Sequence, residues 1–150
     1  MTSCDTNILF VALEESRPGH DAARRFLESH AADDSFALCE LVLLELYGLL
    51  RNPITSARPL GPEQAVRLLD QLRSNPAWQV LDYPGPDAGL MPRLWTAAAT
   101  PGFARRRIYD TRLALTLRHH GVTELATSNI KDFEGFGFTR VWNPLETPEK

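Results

Sequence analysis

Short apolar segments of strand length alternate with longer segments whose apolar residues recur at helical spacing, and this alternation runs the whole length of the chain. The strand-length segments are Thr2 to Cys4, which is short and unusually polar, and Phe36 to Cys39, Trp78 to Leu81, Glu124 to Thr127 and Thr139 to Trp142. Between them, His20 to His30 places Ala23, Phe26, Leu27 and His30 on one helical face. Glu40 to Arg51 is helical and stops before Asn52-Pro53, because the residue ahead of a proline is pushed out of the helical region. Pro62 suits the first turn of the next helix, where Ala65, Leu68, Leu69 and Leu72 keep the 3.6-residue period. Asp87 to Ala99 is predicted helical and broken by Pro101-Gly102; Arg106 to His120 is predicted helical and closed by Gly121. Strands joined through helices pair in parallel. The predicted fold class is therefore α/β, a three-layer α/β/α domain with a mostly parallel central sheet. At 150 residues the chain is expected to form a single domain, residues 1–150, with a real core. Sites in such sheets lie beyond the carboxyl ends of the strands.

Composition excludes little. No apolar run approaches the roughly 18 residues that span a membrane, and the N-terminus carries an acid at position 5 and no basic leader. The expectation is a cytoplasmic protein with no membrane association. The net charge of −3 does not advertise nucleic-acid binding. Yet of the sixteen basic residues all but two are Arg, the better bidentate ligand for phosphate. The run Arg105-Arg106-Arg107, just ahead of Asp110, reads either as a solvated helix start, or as a phosphate-steering patch or salt-bridge surface. Cys4 and Cys39 do not form a C-x-x-C pair and read as small buried thiols on neighbouring strands. The four histidines lack zinc-binding spacing, and His119-His120 is expected to face solvent at the negative end of its helix.

Four acids stand out by context. Asp5 follows the first strand in Asp5-Thr6-Asn7, where an Asx turn or helix cap is the plainer explanation. Glu45 interrupts the nearly all-apolar run Leu41 to Leu50. That setting predicts burial, and a buried carboxylate has to be paired, protonated or metal-bound; Arg51 is the obvious salt-bridge partner. Glu40, at a helix start, is explained by the helix dipole. Asp110 sits early in its helix, beside an apolar side made by Tyr109, Leu113, Ala114 and Leu117. Asp132 closes a turn in which Thr127, Ser128 and Asn129 add side-chain oxygens, suited to metal, water or phosphate contacts or to capping by Asn129. A cluster of carboxylates repels itself and needs a counter-charge. The usual one is a hard divalent cation, Mg²⁺ or Mn²⁺, which prefers oxygen ligands.

In order and context these segments resemble the PIN-domain nucleases, and among them the VapC toxins of type II toxin–antitoxin (VapBC) pairs. "DTNILF" is similar to the opening acidic motif, "LVLLELYGLLRNP" to the second, "RRIYDTRLALTLRHHGV" to the third, and "LATSNIKDFEGFGFTRVWNPL" to the closing segment. The resemblance runs from about Cys4 to Leu145. It implies a PIN-like fold and a metal-dependent endoribonuclease, a phosphodiester hydrolase. It also implies Asp5, Glu45 and Asp110 as metal ligands, Asp5, Glu45, Asp110 and Asp132 as the catalytic set, and Thr6, Thr127, Ser128 and Asn129 as phosphate or supporting contacts. The family's fourth acid stands where Asn129 stands here, so either Asp132 or Asn129 completes the site. The implied partners are an RNA substrate, a cognate VapB-like antitoxin, and a second copy of the chain in a homodimer and toxin–antitoxin hetero-oligomer.

Two other readings compete. A non-catalytic RNA- or protein-binding module on the same fold is kept alive by the irregular fourth acid. A phosphatase using Asp5 as nucleophile is opposed by Asn7, which stands where a second acid belongs.

Overall fold

The structure is a computed structural model that describes residues 1–146. Strand β1 (Thr2–Cys4) leads into α1 (Thr6–Leu13) and α2 (His20–Ser29); β2 (Phe36–Cys39) leads into α3 (Glu40–Arg51) and α4 (Pro62–Arg73). Then come β3 (Gln79–Leu81), a 3-10 turn at Pro86–Ala88, α5 (Leu90–Ala98), α6 (Arg107–His119), β4 (Glu124–Ala126), a second 3-10 turn at Ile130–Phe133, and β5 (Arg140–Trp142). The five strands form one sheet in the order β3-β2-β1-β4-β5, and every pairing is parallel. The expectation of a mostly parallel sheet is met in full.

The helices fall into two packed sets. α1 packs on α2 and α3, and α3 on α4; α5 packs on α6, and α6 on the Ile130–Phe133 turn. Crossovers that step away from β1 in opposite directions lay their helices on opposite faces of the sheet, since each crossover is right-handed. This gives the α/β/α layering. The direction of stepping reverses between β1 and β4, which is where an open parallel sheet leaves a crevice for a ligand.

β1 is short and polar by sequence, yet it is the central strand. Ser3 and Cys4 are fully buried, and so is Cys39 on the neighbouring β2. Both cysteines are free thiols, and burial pushes each up in pKa. The core is filled from both helical sets, by Ile8, Leu9, Phe36, Leu38, Leu46, Leu117 and Leu125 among others.

Two features differ from the sequence expectation. α1 has no amphipathic period to announce it: Asn7 to Leu13 is apolar almost throughout, with Ile8, Leu9, Phe10 and Ala12 all buried, so packing rather than pattern makes it a helix. The predicted helix Asp87 to Ala99 is two elements, because Gly89 adopts φ +67° between the 3-10 turn and α5. A positive φ is open to glycine at little cost and ends a helical run. Gly121, at φ +83°, does close α6 as its sequence position suggests, with the Val122 N–H donating to the Leu117 carbonyl at 3.0 Å. Among the described residues no helix is long and apolar enough to cross a membrane.

Candidate active site

Asp5 occupies the N-cap of α1, directly beyond the carboxyl end of β1. Its Oδ1 accepts from the Thr6 N–H at 2.7 Å. Its Oδ2 accepts from Asn7 Nδ2 at 2.6 Å and from Thr127 Oγ1 at 2.8 Å. The capping explanation is therefore correct as far as it goes. Capping of an ordinary surface helix does not bury the cap, however, and Asp5 is only 5 % exposed. Burial pushes its carboxyl up to about 6, against the pull of the Thr127 and Thr6 hydrogen bonds, and the charges of Glu45 and Asp110 push it further the same way.

Each of those neighbours arrives on a different element. Glu45 lies one turn into α3, which follows β2 without a loop. Thr6 Oγ1 donates to Glu45 Oε2 at 2.7 Å, so α1 and α3 are fastened together at the site. The predicted burial of Glu45 is wrong: its side chain is exposed. The apolar run of α3 divides, with Val42, Leu43, Leu46 and Leu50 buried and Leu44 69 % exposed beside Glu45. Nor does Arg51 neutralise it. Arg51 donates to the Tyr47 hydroxyl at 2.7 Å and stacks over the Tyr47 ring. Glu40, expected to serve the helix start, lies in the first turn of α3 and also pairs with Arg73 Nε at 2.8 Å.

Asp110 stands in the first turn of α6, half-buried. Its carboxyl is raised by burial, then by Asp132, then by Glu45, and is lowered by Arg107. Arg107 is the member of the arginine run that acts on the acids; Arg105 and Arg106 are exposed. Asp132 is half-buried in the Ile130–Phe133 turn, close enough for its charge to bear on Asp110. Asn129 occupies the cap position of that turn without a side-chain capping bond. It lines the same cavity as Asp5, Glu45 and Asp110. Thr127 is fully buried and takes a hydrogen bond from the Asn129 N–H at 3.0 Å. Ser128 is exposed and meets the site through its backbone, donating to Asn7 Oδ1 at 3.1 Å.

The structure thus gathers Asp5, Thr6, Glu45, Asp110, Thr127 and Asn129, with Asp132 behind Asp110. Sequence reasoning missed Asn7, which holds Asp5 and Thr127 together through its amide donors, at 2.6 Å and 3.2 Å. By sequence Asn7 reads only as a turn or capping residue and as a missing acid; its place two residues after a strand-end Asp is the available signal.

Two cavities flank the acids and share Asp5, Glu45 and Asp110. One, of about 420 Å³, is walled mostly by Leu41, Val42, Leu44, Tyr109 and Leu113. The other, of about 250 Å³, is walled by Asn7, Phe10, Arg17, Leu49 and Asn129. A larger cleft of about 550 Å³ surrounds Glu14 and contains none of the site's acids.

Among the described residues no ion pair involves Asp5, Glu45, Asp110 or Asp132. Asp5 and Asp110 are therefore raised with no cation paired to them, and the donors around them are carboxylate, hydroxyl and amide oxygens. That set suits a hard divalent cation. As the side chains stand, no three acids, histidines or cysteines among the described residues converge tightly enough to enclose one ion. Mg²⁺ commonly keeps several waters and takes only one or two carboxylates, so the donor set fits a hydrated ion.

Residues 3–138 match the PIN domain. The chain belongs to the PIN-domain family. This PIN domain is 51% identical over 145 residues to Ribonuclease VapC24 of Mycobacterium tuberculosis, a match covering 97% of each chain. Among solved structures it is similar to Mycobacterium tuberculosis VapC20, described as a sarcin–ricin loop cleaving toxin, with a TM-score of 0.67 at 17% identity over 93% of this chain and 97% of that one. It is also similar to VapBC2 from Rickettsia felis, solved on a DNA fragment from the promoter of its own genes, with a TM-score of 0.64 at 22% identity over 95% and 97%. At those identities the two structures speak to the fold, and the fold of this PIN domain is the one they share.

Proposed function

We propose that this PIN domain is a metal-dependent endoribonuclease that acts in the cytoplasm as the toxin of a toxin–antitoxin pair, with residues 1–150 forming one nuclease unit. The observation that carries the reading is the buried Asp5, raised to about 6 by burial and then by Glu45 and Asp110, in a cluster with no cationic side chain paired to it. Such a cluster is uncomfortable alone and suited to a cation. The ribonuclease name of the 51% identical relative supports RNA as substrate.

Asp5, Glu45 and Asp110 would hold one or two Mg²⁺ or Mn²⁺ ions. When bound, the ion supplies Lewis acidity, making a water more acidic and offsetting the negative charge that builds on the phosphate and the leaving oxygen. The chain's own residues do the rest. Three hydrogen bonds fix the rotamer of Asp5. Thr6 holds the Glu45 carboxylate in register with α1. Asp110, raised by burial and by the charge of Asp132, would orient the attacking water or take up its proton. Asn129 offers an uncharged oxygen or N–H to the phosphate on the polar side. The partners proposed with this activity are a VapB-like antitoxin and a second copy of the chain; the VapBC2 complex among the fold's neighbours supports the former.

The test is cleavage of single-stranded and structured RNA by the purified chain with Mg²⁺, with Mn²⁺ and with EDTA, beside Asp110→Ala. Cleavage is expected to need metal and to vanish in the variant while its thermal melt stays cooperative. RNA binding without cleavage by metal-loaded protein would move the reading to a non-catalytic module.

A further inference from the structure

Arg17 stands in the turn between α1 and α2, where nothing in the sequence singles it out. Its guanidinium carbon lies 5.2 Å from the centroid of the Phe10 ring, and Nη2 donates to the Thr55 carbonyl. Phe10 is itself anchored in the core at 6 % exposed. Arg17 also lines the smaller cavity, the one it shares with Asp5, Glu45 and Asp110. Among the described residues it is in no ion pair. A freely rotating arginine facing three carboxylates would pair with one of them. Here the stacking contact and the carbonyl hold it against the cavity wall, so its charge is not cancelled by the acids.

A guanidinium presents five N–H donors in a fixed fork. One is taken by Thr55, and the fork matches phosphate oxygens in a bidentate contact. Because it is stacked before a ligand arrives, little rotamer freedom is lost on binding. The opposite cavity, walled mostly by leucines and Tyr109, also carries an arginine, Arg112, whose guanidinium carbon lies 4.8 Å from the centroid of the Tyr83 ring. We propose that Arg17 binds a non-scissile phosphate of the RNA strand, next to the one that is cleaved, from the side of the smaller cavity. The proposal rests on the nuclease reading and adds to it a substrate contact outside the acidic set.

The test uses the full chain and a labelled single-stranded RNA oligonucleotide. Binding is measured against salt in the Asp110→Asn background, and cleavage kinetics are measured in the otherwise native chain. Arg17→Gln should weaken binding by about ten- to a hundredfold and raise KM while leaving kcat nearly unchanged. It should also flatten the dependence of log affinity on log salt by about 0.7, the value for one phosphate contact on a single strand. Arg17→Lys keeps the charge without the fork, so it should retain the salt slope and recover only part of the affinity. Arg58→Gln, on the cleft at the far end of α1, should change none of these. Thermal melts identify any variant that loses its fold, and Arg17→Lys then carries the comparison. If the native chain cleaves RNA in a metal-dependent way and both Arg17 variants match it in KM and salt slope, this inference is overturned and the nuclease reading stands. If no form binds or cleaves RNA, both fall.

Discussion

Helix α1 has a buried carboxylate at each end, and the two behave in opposite ways. Asp5 at the N-terminal end is raised to about 6. Glu14, the C-cap at the other end, is lowered, first by the Ser56 hydroxyl and further by Ser16 and Ala57. Ser56 Oγ and the Ala57 N–H donate to one of its oxygens at 2.7 and 3.1 Å, and Ser16 Oγ to the other at 3.1 Å. The helix dipole favours an anion at the Asp5 end and opposes one at the Glu14 end, so it predicts the reverse ranking. Nor does the number of hydrogen bonds decide the matter, since each acid accepts three from side chains and backbone. What differs is the company. Asp5 loses more hydration and faces Glu45 and Asp110; Glu14 faces only donors. One carboxylate fastens a loop to the end of a helix, and the other is kept in readiness for a positive charge.

The sharpest way to break this comparison is to delete each acid. Asp5→Ala should cut RNA cleavage by roughly 10²- to 10⁴-fold, whereas Glu14→Ala should leave the single-turnover rate per folded molecule unchanged. Equal losses would mean that the two ends are not different in kind.

The next effect is in the pH dependence of the metal-free protein. Asp5 has its folded value raised, to about 6 from 3.8, so the native state binds a proton that the unfolded state does not between those values. Stability should fall as pH rises through that window, by up to ~3 kcal/mol at 1.36 kcal/mol per pKa unit. Asp110, also raised, adds in the same direction. Denaturant midpoints in EDTA between pH 4 and pH 7 read this directly, and saturating Mg²⁺ should remove the slope. A flat profile in EDTA would show that Asp5 is no more burdened than Glu14.

The smallest effect concerns Glu14 as a fastener. Glu14→Ala leaves the buried Ser56 hydroxyl and the Ala57 N–H without an acceptor and should cost about 1–3 kcal/mol, seen as a Tm lower by several degrees. Because the Glu14 carboxyl is lowered, its contribution is present above the unfolded value of 4.5 and is lost as pH falls through the folded value. The gap in Tm between native chain and variant should therefore narrow only in acid. A gap that instead narrows between pH 5 and pH 7 would reverse the assignment.

Much of this was legible in the sequence, and the limits have physical causes. The bounds of β2 and α3 follow from the apolar run and the proline after Asn52, and the order of strands and helices implies a parallel sheet. Asp5 stands where β1 meets α1, Glu45 breaks an apolar run and Asp110 opens a helix, so the three could be nominated by context, and they do share a cavity. α1 was hidden because a helix buried nearly all round has no period. The apolar run around Glu45 points to burial, but its Leu44 face borders the site and leaves Glu45 exposed. Glu14 and Arg17 were silent for another reason: Glu14 meets Ser56 forty-two residues away and Arg17 meets Thr55 thirty-eight residues away, through a loop whose path no local pattern encodes.

The hydrogen bond from Thr127 to Asp5 joins residues 122 positions apart, and β1 is flanked by β2 on one side and by β4 on the other. A ribosome making this chain delivers Asp5 and, 122 residues later, its partner Thr127. Until β4 emerges, the central strand has one edge unpaired and the acid lacks one of the three donors that fix it. A nascent chain therefore lacks a finished site until β4 and Thr127 have emerged, and the closing of the sheet is also the moment at which the site comes into being.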